Sequence, residues 1–238
     1  MDKITLTSQI DLISPNYKKL PFYKNLFEKR YTKEQTMKSH LQDLARSLGC
    51  QGLREIQISK LKDACENGLI EKEDAEKLLD VILDELPAEN KKSHLDIRLQ
   101  MFSESGYSIE QLKKVKPLPE AVAATKIFRD IFEKRNIFEI TAAVGAIEKW
   151  YVPLAAELES IYLEIGYSSY QVATYSIHKV ADQIHSDVCF GFISKYVDES
   201  ELVNIIDAVA DGFKSVLIYD EARFKAAEGE LLFGDYLA

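Results

Sequence analysis

The sequence predicts an all-α protein, a bundle of seven to eight helices that forms a single domain over residues 1–238. Apolar residues recur at helical spacing along most of the chain, and no stretch alternates long enough to indicate a sheet. Glycine and proline are scarce, with 10 and 6 residues. No linker rich in glycine or serine and no internal repeat divides the chain, so one bundle is the simplest architecture.

The first half of the chain contains four stretches with helical periodicity. They read "PFYKNLFEKR", "TKEQTMKSHLQDLARSLG", "SKLKDACENGL" and "EKEDAEKLLDVILDEL". The second begins at a threonine cap and ends at a glycine, and the third breaks near Gly68. The fourth is strongly amphipathic and stops at Pro87, because proline cannot continue a helix.

The second half begins with "SHLDIRLQMFSESG" and "SIEQLKKVK", in which Ser108 and Gln111 form a capping box. Pro119 opens the helix "PEAVAATKIFRDIFEKR". The next stretch, "IFEITAAVGAIEKWYVPLAAELESIYLEIG", predicts a long helix that is kinked near Pro153 and ended by Gly166. Two further helices follow in "SSYQVATYSIHKVADQIHSDVCFGFISKY" and "DESELVNIIDAVADGFKSVLIYDEARFKAAEG". The last one packs internally or forms a homodimer interface.

Composition excludes several classes of partner. The net charge of −9 and the isoelectric point near 5.1 would repel nucleic acids and anionic membrane surfaces. No apolar stretch reaches the roughly 20 residues that a membrane span needs, and "MDKITLTSQIDL" lacks the order of a signal peptide. We therefore expect a cytoplasmic protein. Its three cysteines form no CxxC pair and are expected to be buried or neutral thiols.

Two of the four histidines lie in "SIHKVADQIHSDV". His178, Asp182 and His185 are spaced i, i+4 and i+7, which places them on one stripe of a helix. Such a stripe is a solvated face, a hydrogen-bonded core cluster or a set of metal ligands. Apolar neighbours predict that this helix is largely buried, which favours a metal. These neighbours are Ile177, Val180, Ala181, Ile184, Val188 and Phe190.

Further ligands are expected from other buried stretches. Glu148 is conspicuous among the small and apolar residues of "TAAVGAIEKWY", where Gly145 leaves room beside the helix. Glu85 ends an apolar helix, and His94 follows it in "ENKKSHLDIRLQMF". The remaining histidine, His40, has charged and polar neighbours, which predicts a surface or capping residue.

The stretches "LLDVILDELPAENKKSHLDIRLQMF", "AAVGAIEKWYVP" and "HKVADQIH", together with "PFYKNLFEKRYTKEQ", resemble in order and separation the heme-oxygenase-like di-iron oxidases and oxygenases. The resemblance covers nearly the whole chain. It implies a heme-oxygenase-like bundle, two iron ions, O2 as co-substrate and an external electron donor. The ligands it implies are Glu85, His94, Glu148, His178, Asp182 and His185. Because Pro87 prevents a regular helix between Glu85 and His94, Glu89 is the reserve candidate for the first carboxylate ligand.

The resemblance also implies a small external substrate. A chlamydial member of the family consumes its own tyrosine with help from a lysine, but here "EQTMKSHLQDLARS" has no tyrosine, and Leu158 takes the place of the lysine. The specific expectation is oxidation of a tryptophan-type amino acid to a nitrile, with a fatty acid or an amine as the alternative substrate. The expected substrate-binding residues are Arg98, Val144, Gly145 and Tyr175. A metal-free ligand-binding bundle and an iron-storage protein are the alternatives to an enzyme.

Overall fold

The protein is described by a computed structural model over residues 3–87, 92–103 and 105–229. This part of the chain is helical and contains no strand, which confirms the all-α class. It contains eleven α-helices, so the expected seven to eight is too low. Part of the difference is the helix Lys3–Ile13, which none of the stretches above covers, and part is short helices such as His94–Leu99 and Ile109–Lys113, both of which start at capping boxes.

The helices are α1 Lys3–Ile13, α2 Pro21–Phe27, α3 Lys33–Gly49, α4 Leu53–Glu66, α5 Lys72–Asp84, α6 His94–Leu99, α7 Ile109–Lys113, α8 Pro119–Lys134, α9 Ile137–Ile165, α10 Ala173–Tyr196 and α11 Leu202–Ala227. Short 3-10 turns precede α2 and α11 and follow α6. Among the described helices, none has both the length and the apolar character needed to cross a bilayer.

The predicted helix ends are confirmed where a cap defines them. Thr32 and Gln35 form a capping box at the start of α3, and Ser108 and Gln111 form another at α7. Pro119 occupies the first turn of α8. Gly166 ends α9 with a left-handed φ of 101°, a conformation that glycine adopts without a steric penalty. These local signals hold because they depend on backbone groups within one turn.

Helices α9 and α10 form the main packed pair of the bundle, and α11 packs against α3, α8 and α9. Helix α9 runs for 29 residues and continues through Pro153. Helix α11 buries residues on several sides, including Ile205, Phe213 and Arg223. This agrees with internal packing, one of the two roles expected for the last helix. The core therefore lies between α9, α10 and α11, and the polar residues of α9 and α10 face each other across it.

Gly145 sets the distance between α9 and α10. A Cβ atom at this position would lie 2.6 Å from the Cβ of Cys189 on α10, closer than real Cβ atoms approach each other. The expected room beside Gly145 is thus filled by the neighbouring helix. Glu148 lies three residues after Gly145 on α9, and His185 lies four residues before Cys189 on α10. The contact between Gly145 and Cys189 therefore also sets the distance between the backbones of Glu148 and His185.

His40 is a core residue, and the expectation of a surface or capping position was wrong. Its side chain is 2% exposed, and its ring centroid lies 4.9 Å from that of Tyr162 and 5.9 Å from that of Tyr167. Burial lowers the pKa of His40 to about 3, and the charge of Arg223 acts in the same direction. The polar neighbours misled the prediction because several of them, including Ser39, Gln42 and Asp43, are themselves buried or partly buried beside His40.

We predict that Gly145→Ala destabilises the protein by about 1–3 kcal/mol, because the added methyl group overpacks the contact with Cys189. Chemical denaturation measures the change. Gly191→Ala on α10 is the matched control, since no atom lies within 4 Å of its added Cβ. That variant should be as stable as the parent protein or slightly more stable. Equal stability of the two alanine variants would contradict the close contact.

We predict that His40 makes the protein less stable as the pH falls. The unfolded chain binds a proton near pH 6.5, whereas the folded protein binds it only near pH 3, so stability is complete above pH 6.5 and falls below it. The loss at pH 5 is about 2 kcal/mol. His40→Gln should remove this slope between pH 5 and 6.5 in urea denaturation, whatever it does to stability at pH 7. An unchanged slope would show that His40 is protonated in the folded protein.

Candidate metal centre

Four segments bring the six expected ligands into one cluster. Glu85 caps the end of α5, and His94 is the first residue of α6. Glu148 lies on α9. The i, i+4, i+7 spacing of α10 presents His178, Asp182 and His185 on the face that packs against α9 and α5. The cluster therefore forms where α5, α6, α9 and α10 meet.

The Glu85 carboxylate lies at the middle of the cluster. Its Oε2 is 2.8 Å from Nδ1 of His94, and its Oε1 is 3.8 Å from Nδ1 of His185. The same His185 nitrogen is 3.9 Å from Oε1 of Glu148. Donor atoms of Glu85, Glu148 and His185 all lie within 4.8 Å of one another. This spacing would allow one ion to contact all three.

His178 and Asp182 complete the cluster on the other side. His178 Nδ1 is 2.7 Å from Asp182 Oδ1, and the His178 ring centroid is 4.7 Å from that of His94. The ring of Tyr151 lies 5.5 Å from that of His178, nearly perpendicular to it. His178 therefore connects the α10 ligands with His94 on α6.

Only one face of α10 is buried, although its apolar residues predicted wider burial. Asp182 and His185 are 2% and 4% exposed. In contrast, Ile177, Val180 and Ile184 are 36%, 59% and 59% exposed. The polar stripe faces the core while these apolar side chains face outward. Burying imidazole and carboxylate groups is costly unless they have partners, so this inversion favours a bound cation at the stripe.

The donor atoms fit a metal ion. Glu148 Oε2 and His185 Nδ1 are buried and make no hydrogen bond, and His94 Nδ1 is buried against the Glu85 carboxylate, 2.8 Å away. Buried polar atoms without partners are rare and costly in native proteins. All three belong to the predicted ligand set, and imidazole with carboxylate is a donor set that suits iron. An ion at this position would satisfy the three atoms together.

The charges of the cluster shift the pKa values of its members in opposite directions. Burial disfavours the Glu85 carboxylate, yet His94 and the positive charge of Arg54 hold its pKa well below the usual range. Burial raises the pKa of Glu148 well above its ordinary value, and the charges of Glu85 and Asp182 raise it further. Burial also lowers the pKa of His185. Burial and the neighbouring charges thus favour the ionised form of Glu85 and disfavour the charged forms of Glu148 and His185.

Two residues of the cluster were not anticipated. Arg54 on α4 lies between two carboxylates, with Nη2 3.6 Å from Glu85 Oε2 and 3.7 Å from Glu148 Oε1. Asp84 Oδ2 lies 3.3 Å from Nε2 of His185. Asp84 is adjacent to Glu85 in sequence and could have been included, whereas nothing in the sequence around Arg54 indicates a cluster residue. The reserve ligand, Glu89, lies outside the described residues.

A cavity of about 580 Å³ opens onto the cluster. Its wall includes Glu85, His94, Glu148, His178 and Asp182 among the expected ligands. This volume is in the range of small-molecule binding sites. The cavity therefore gives an organic molecule access to the ligand cluster.

The structure brings two of the four expected substrate-binding residues to this cavity. Arg98 and Val144 line it. Gly145 instead contacts α10, and the Tyr175 ring stacks on Tyr162 with centroids 5.2 Å apart, so neither forms part of the wall. Although the α3 stretch contains no tyrosine, other helices contribute tyrosines to the cavity wall. These are Tyr23, Tyr151 and Tyr219.

Arg98 already has a counter-ion. Its guanidinium forms an ion pair with Asp43, and Tyr219 donates a hydrogen bond to the same carboxylate. Although burial opposes ionisation, Arg98 lowers the pKa of Asp43 to about 2. The charge of Arg98 is therefore balanced within the protein, and its expected role in substrate binding stays a prediction.

Comparisons with known proteins agree with this fold and with a role for iron. The sequence model of a family described as "iron-containing redox enzyme" matches residues 65–217, a range that includes all six expected ligands. The solved structure of a CADD-like protein of unknown function from Nostoc punctiforme is similar, with a TM-score of 0.71 and 14% identity, covering 94% of this chain and 98% of that chain. A TenA homologue from P. horikoshii has a TM-score of 0.69 and 15% identity, covering 94% and 98%. Identities this low show the shared fold alone. No curated protein is significantly similar in sequence.

We predict that Arg54→Gln destabilises the iron-free protein by about 1–3 kcal/mol, because two buried carboxylates lose their cation. The same variant should bind Fe(II) more tightly, since no guanidinium competes for Glu85 and Glu148. Thermal unfolding with and without anaerobic Fe(II) measures both effects. Arg30→Gln is the control, because Arg30 is exposed and pairs with Glu28. If iron raises the melting temperature equally in both variants, Arg54 does not compete with the metal.

Proposed function

Because this chain belongs to the family of iron-containing redox enzymes, we propose that it is a non-heme di-iron oxygenase that uses O2 to oxidise a small external substrate. One observation carries the proposal. Two buried donor atoms without hydrogen bonds, on Glu148 and His185, lie beside the contact between Glu85 and His94, in a cluster that a cavity large enough for an organic molecule reaches. A metal-free binding protein would gain nothing from leaving these atoms unpaired.

The ligand cluster contains enough donors for two ions. Glu85, Glu148 and His185 form one close group, and His94, His178 and Asp182 adjoin it. Bound iron supplies the electrons and the open coordination positions that O2 chemistry requires. The carboxylates of Glu85, Glu148 and Asp182 would balance the positive charge of the ions.

The protein's own residues prepare the site in two ways. Asp182 fixes the orientation of the His178 imidazole through the contact at Nδ1. Burial raises the pKa of Glu148, and a cation bound beside it would favour loss of its proton.

The apolar wall of the cavity favours turnover of an external molecule over iron storage. Storage requires only ions and water, whereas this cavity has a substantial apolar wall that includes Phe128, Phe132 and Trp150. Such a wall excludes water and binds hydrocarbon groups. The conversion of a tryptophan-type amino acid to a nitrile is the most specific form of the proposal. Oxidation of a fatty acid or an amine in the same cavity is the alternative.

The electron donor and a homodimer remain predictions. When a substrate is oxidised by two electrons, reduction of O2 to water requires two more electrons. An external donor would supply them. Helix α11 buries 13 of its 26 residues inside the chain, and its outer side includes the exposed Val203 and Leu217.

We predict that the protein, loaded anaerobically with Fe(II), binds close to two iron ions per chain and consumes O2 faster when its substrate is present. Iron analysis and an oxygen electrode measure these quantities for a panel of aromatic amino acids, amines and fatty acids. Glu148→Gln and His178→Gln should each lose bound iron and substrate-dependent O2 consumption. Glu157→Gln is the matched control on α9, because this exposed residue bonds to Tyr17 away from the cavity.

Three results would contradict this function. The first is iron at background level in the unmodified protein. The second is bound iron whose reaction with O2 is the same with every member of the panel, which would favour storage. The third is loss of iron in Glu157→Gln to the same extent as in Glu148→Gln, since this would indicate general instability rather than loss of a ligand.

A further inference from the structure

A second group of charged side chains lines the same cavity away from the ligand cluster. Arg98 lies four residues after His94, one helical turn or about 6 Å along α6. Arg46 on α3 and Arg223 on α11 join it in the cavity wall. We call Arg46, Arg98 and Arg223 the arginine wall. The expected ligands do not include any of them.

Arg223 is a buried cation without a carboxylate partner. Its side chain is 3% exposed and lies over the Phe22 ring at 4.2 Å. Nη1 and Nη2 donate to the hydroxyl groups of Tyr23 and Tyr162 at 3.1 and 3.0 Å. Its Nε makes no hydrogen bond. In the part of the chain that the structure describes, Arg223 forms no ion pair.

Arg46 is held in a similar way. Its guanidinium lies 5.0 Å from the ring centroids of both Phe128 and Tyr219. Its Nε is buried and makes no hydrogen bond, and within the described residues its guanidinium forms no ion pair. The Tyr219 ring is also 5.9 Å from the Arg223 guanidinium, so Arg46 and Arg223 lie against one aromatic side chain.

The carboxylates nearby do not balance the arginine wall. Asp43 is ionised but is paired with Arg98 and Tyr219. Asp220 is 2% exposed, and burial raises its pKa to about 7, so near neutral pH it carries only part of a negative charge beside Arg223. Glu55, which also lines the cavity, is exposed to solvent. At least one positive charge therefore faces the cavity without a balancing anion.

An unbalanced buried cation is costly, and an anion bound in the cavity would offset the cost. Guanidinium groups bind carboxylates through paired, charge-assisted hydrogen bonds. The remaining wall is apolar, with Phe128, Phe132, Trp150, Val144 and Ile147. The favoured occupant therefore has a negative end and a hydrocarbon body.

We propose that the cavity binds an organic carboxylate, whose carboxylate group is held by Arg46 and Arg223 and whose apolar body extends toward the ligand cluster. Arg98 positions Asp43 and Tyr219 instead of contacting the ligand. This inference rests on the proposed function only in assigning the part of the molecule nearest the ligand cluster as the part that is oxidised. It defines the substrate class as acids and excludes simple amines.

The single tryptophan provides the readout. Trp150 is 8% exposed and lines the cavity, so its fluorescence reports binding there. The probes are 3-phenylpropionate and octanoate, each compared with its uncharged amide. Titrations use the full chain without iron and repeat with anaerobic Fe(II), so that direct binding to iron is distinguished from binding to the arginine wall.

We expect at least one of the two carboxylates to bind at least tenfold more tightly than its amide in the iron-free protein. Arg223→Gln and Arg46→Gln should each raise the Kd of that carboxylate at least tenfold and change the Kd of the amide less than twofold. Arg30→Gln, on an exposed side chain, should change neither. If Arg223→Gln does not fold, Arg46→Gln decides the test, because the Arg46 guanidinium makes no hydrogen bond that folding depends on.

Equal binding of both acids and their amides would overturn the proposal, as would unchanged affinity in Arg46→Gln. Binding that requires Fe(II) and is lost in Glu148→Gln would also overturn it, since the carboxylate would then bind to the metal. These results are independent of the proposed oxygenase function. A protein that binds no iron but shows the arginine-dependent preference would retain the carboxylate site and lose the enzyme.

Discussion

The approach of α9 to α10 at Gly145 is the contact on which the site depends. Because no side chain separates Gly145 from Cys189, the two helices pack closely enough for Glu148 to reach toward His185. A larger residue would move the helices apart, and the ligand atoms would separate with them. One missing methyl group thus allows two long helices to share a polar cluster inside an otherwise apolar core.

The charged side chains that line the cavity are balanced differently in the ligand cluster and in the arginine wall. At the ligand end, carboxylates are in excess, and Arg54 lies between Glu85 and Glu148 where an ion would otherwise balance them. At the other end, guanidinium groups are in excess, and Asp43 balances only one of them. A cavity that is negative at one end and positive at the other orients a molecule that has a single charged end.

Single residues show where reasoning from sequence succeeded and failed. The cap of Ser108 with Gln111 was correct because both partners lie within one turn. His40 was placed wrongly because polar neighbours in sequence suggested solvent, although Ser39 and Gln42 are buried as well and the His40 ring meets Tyr162. Burial of the stripe on α10 was predicted from its apolar neighbours, among them Val180 and Ile184. The stripe is buried, but these two apolar side chains are exposed, so the reason for the prediction was wrong.

The sequence by itself determined the all-α class, most helix ends and the group of residues that could bind iron, because periodicity, capping and ligand spacing are local properties. Only the tertiary structure decided which charges meet. Arg54 enters the ligand cluster from α4, Arg98 pairs with Asp43 from α3, and Arg223 remains without a carboxylate partner. Electrostatic partners are set by distances between helices, and those distances depend on packing contacts such as the one at Gly145 that no local pattern encodes.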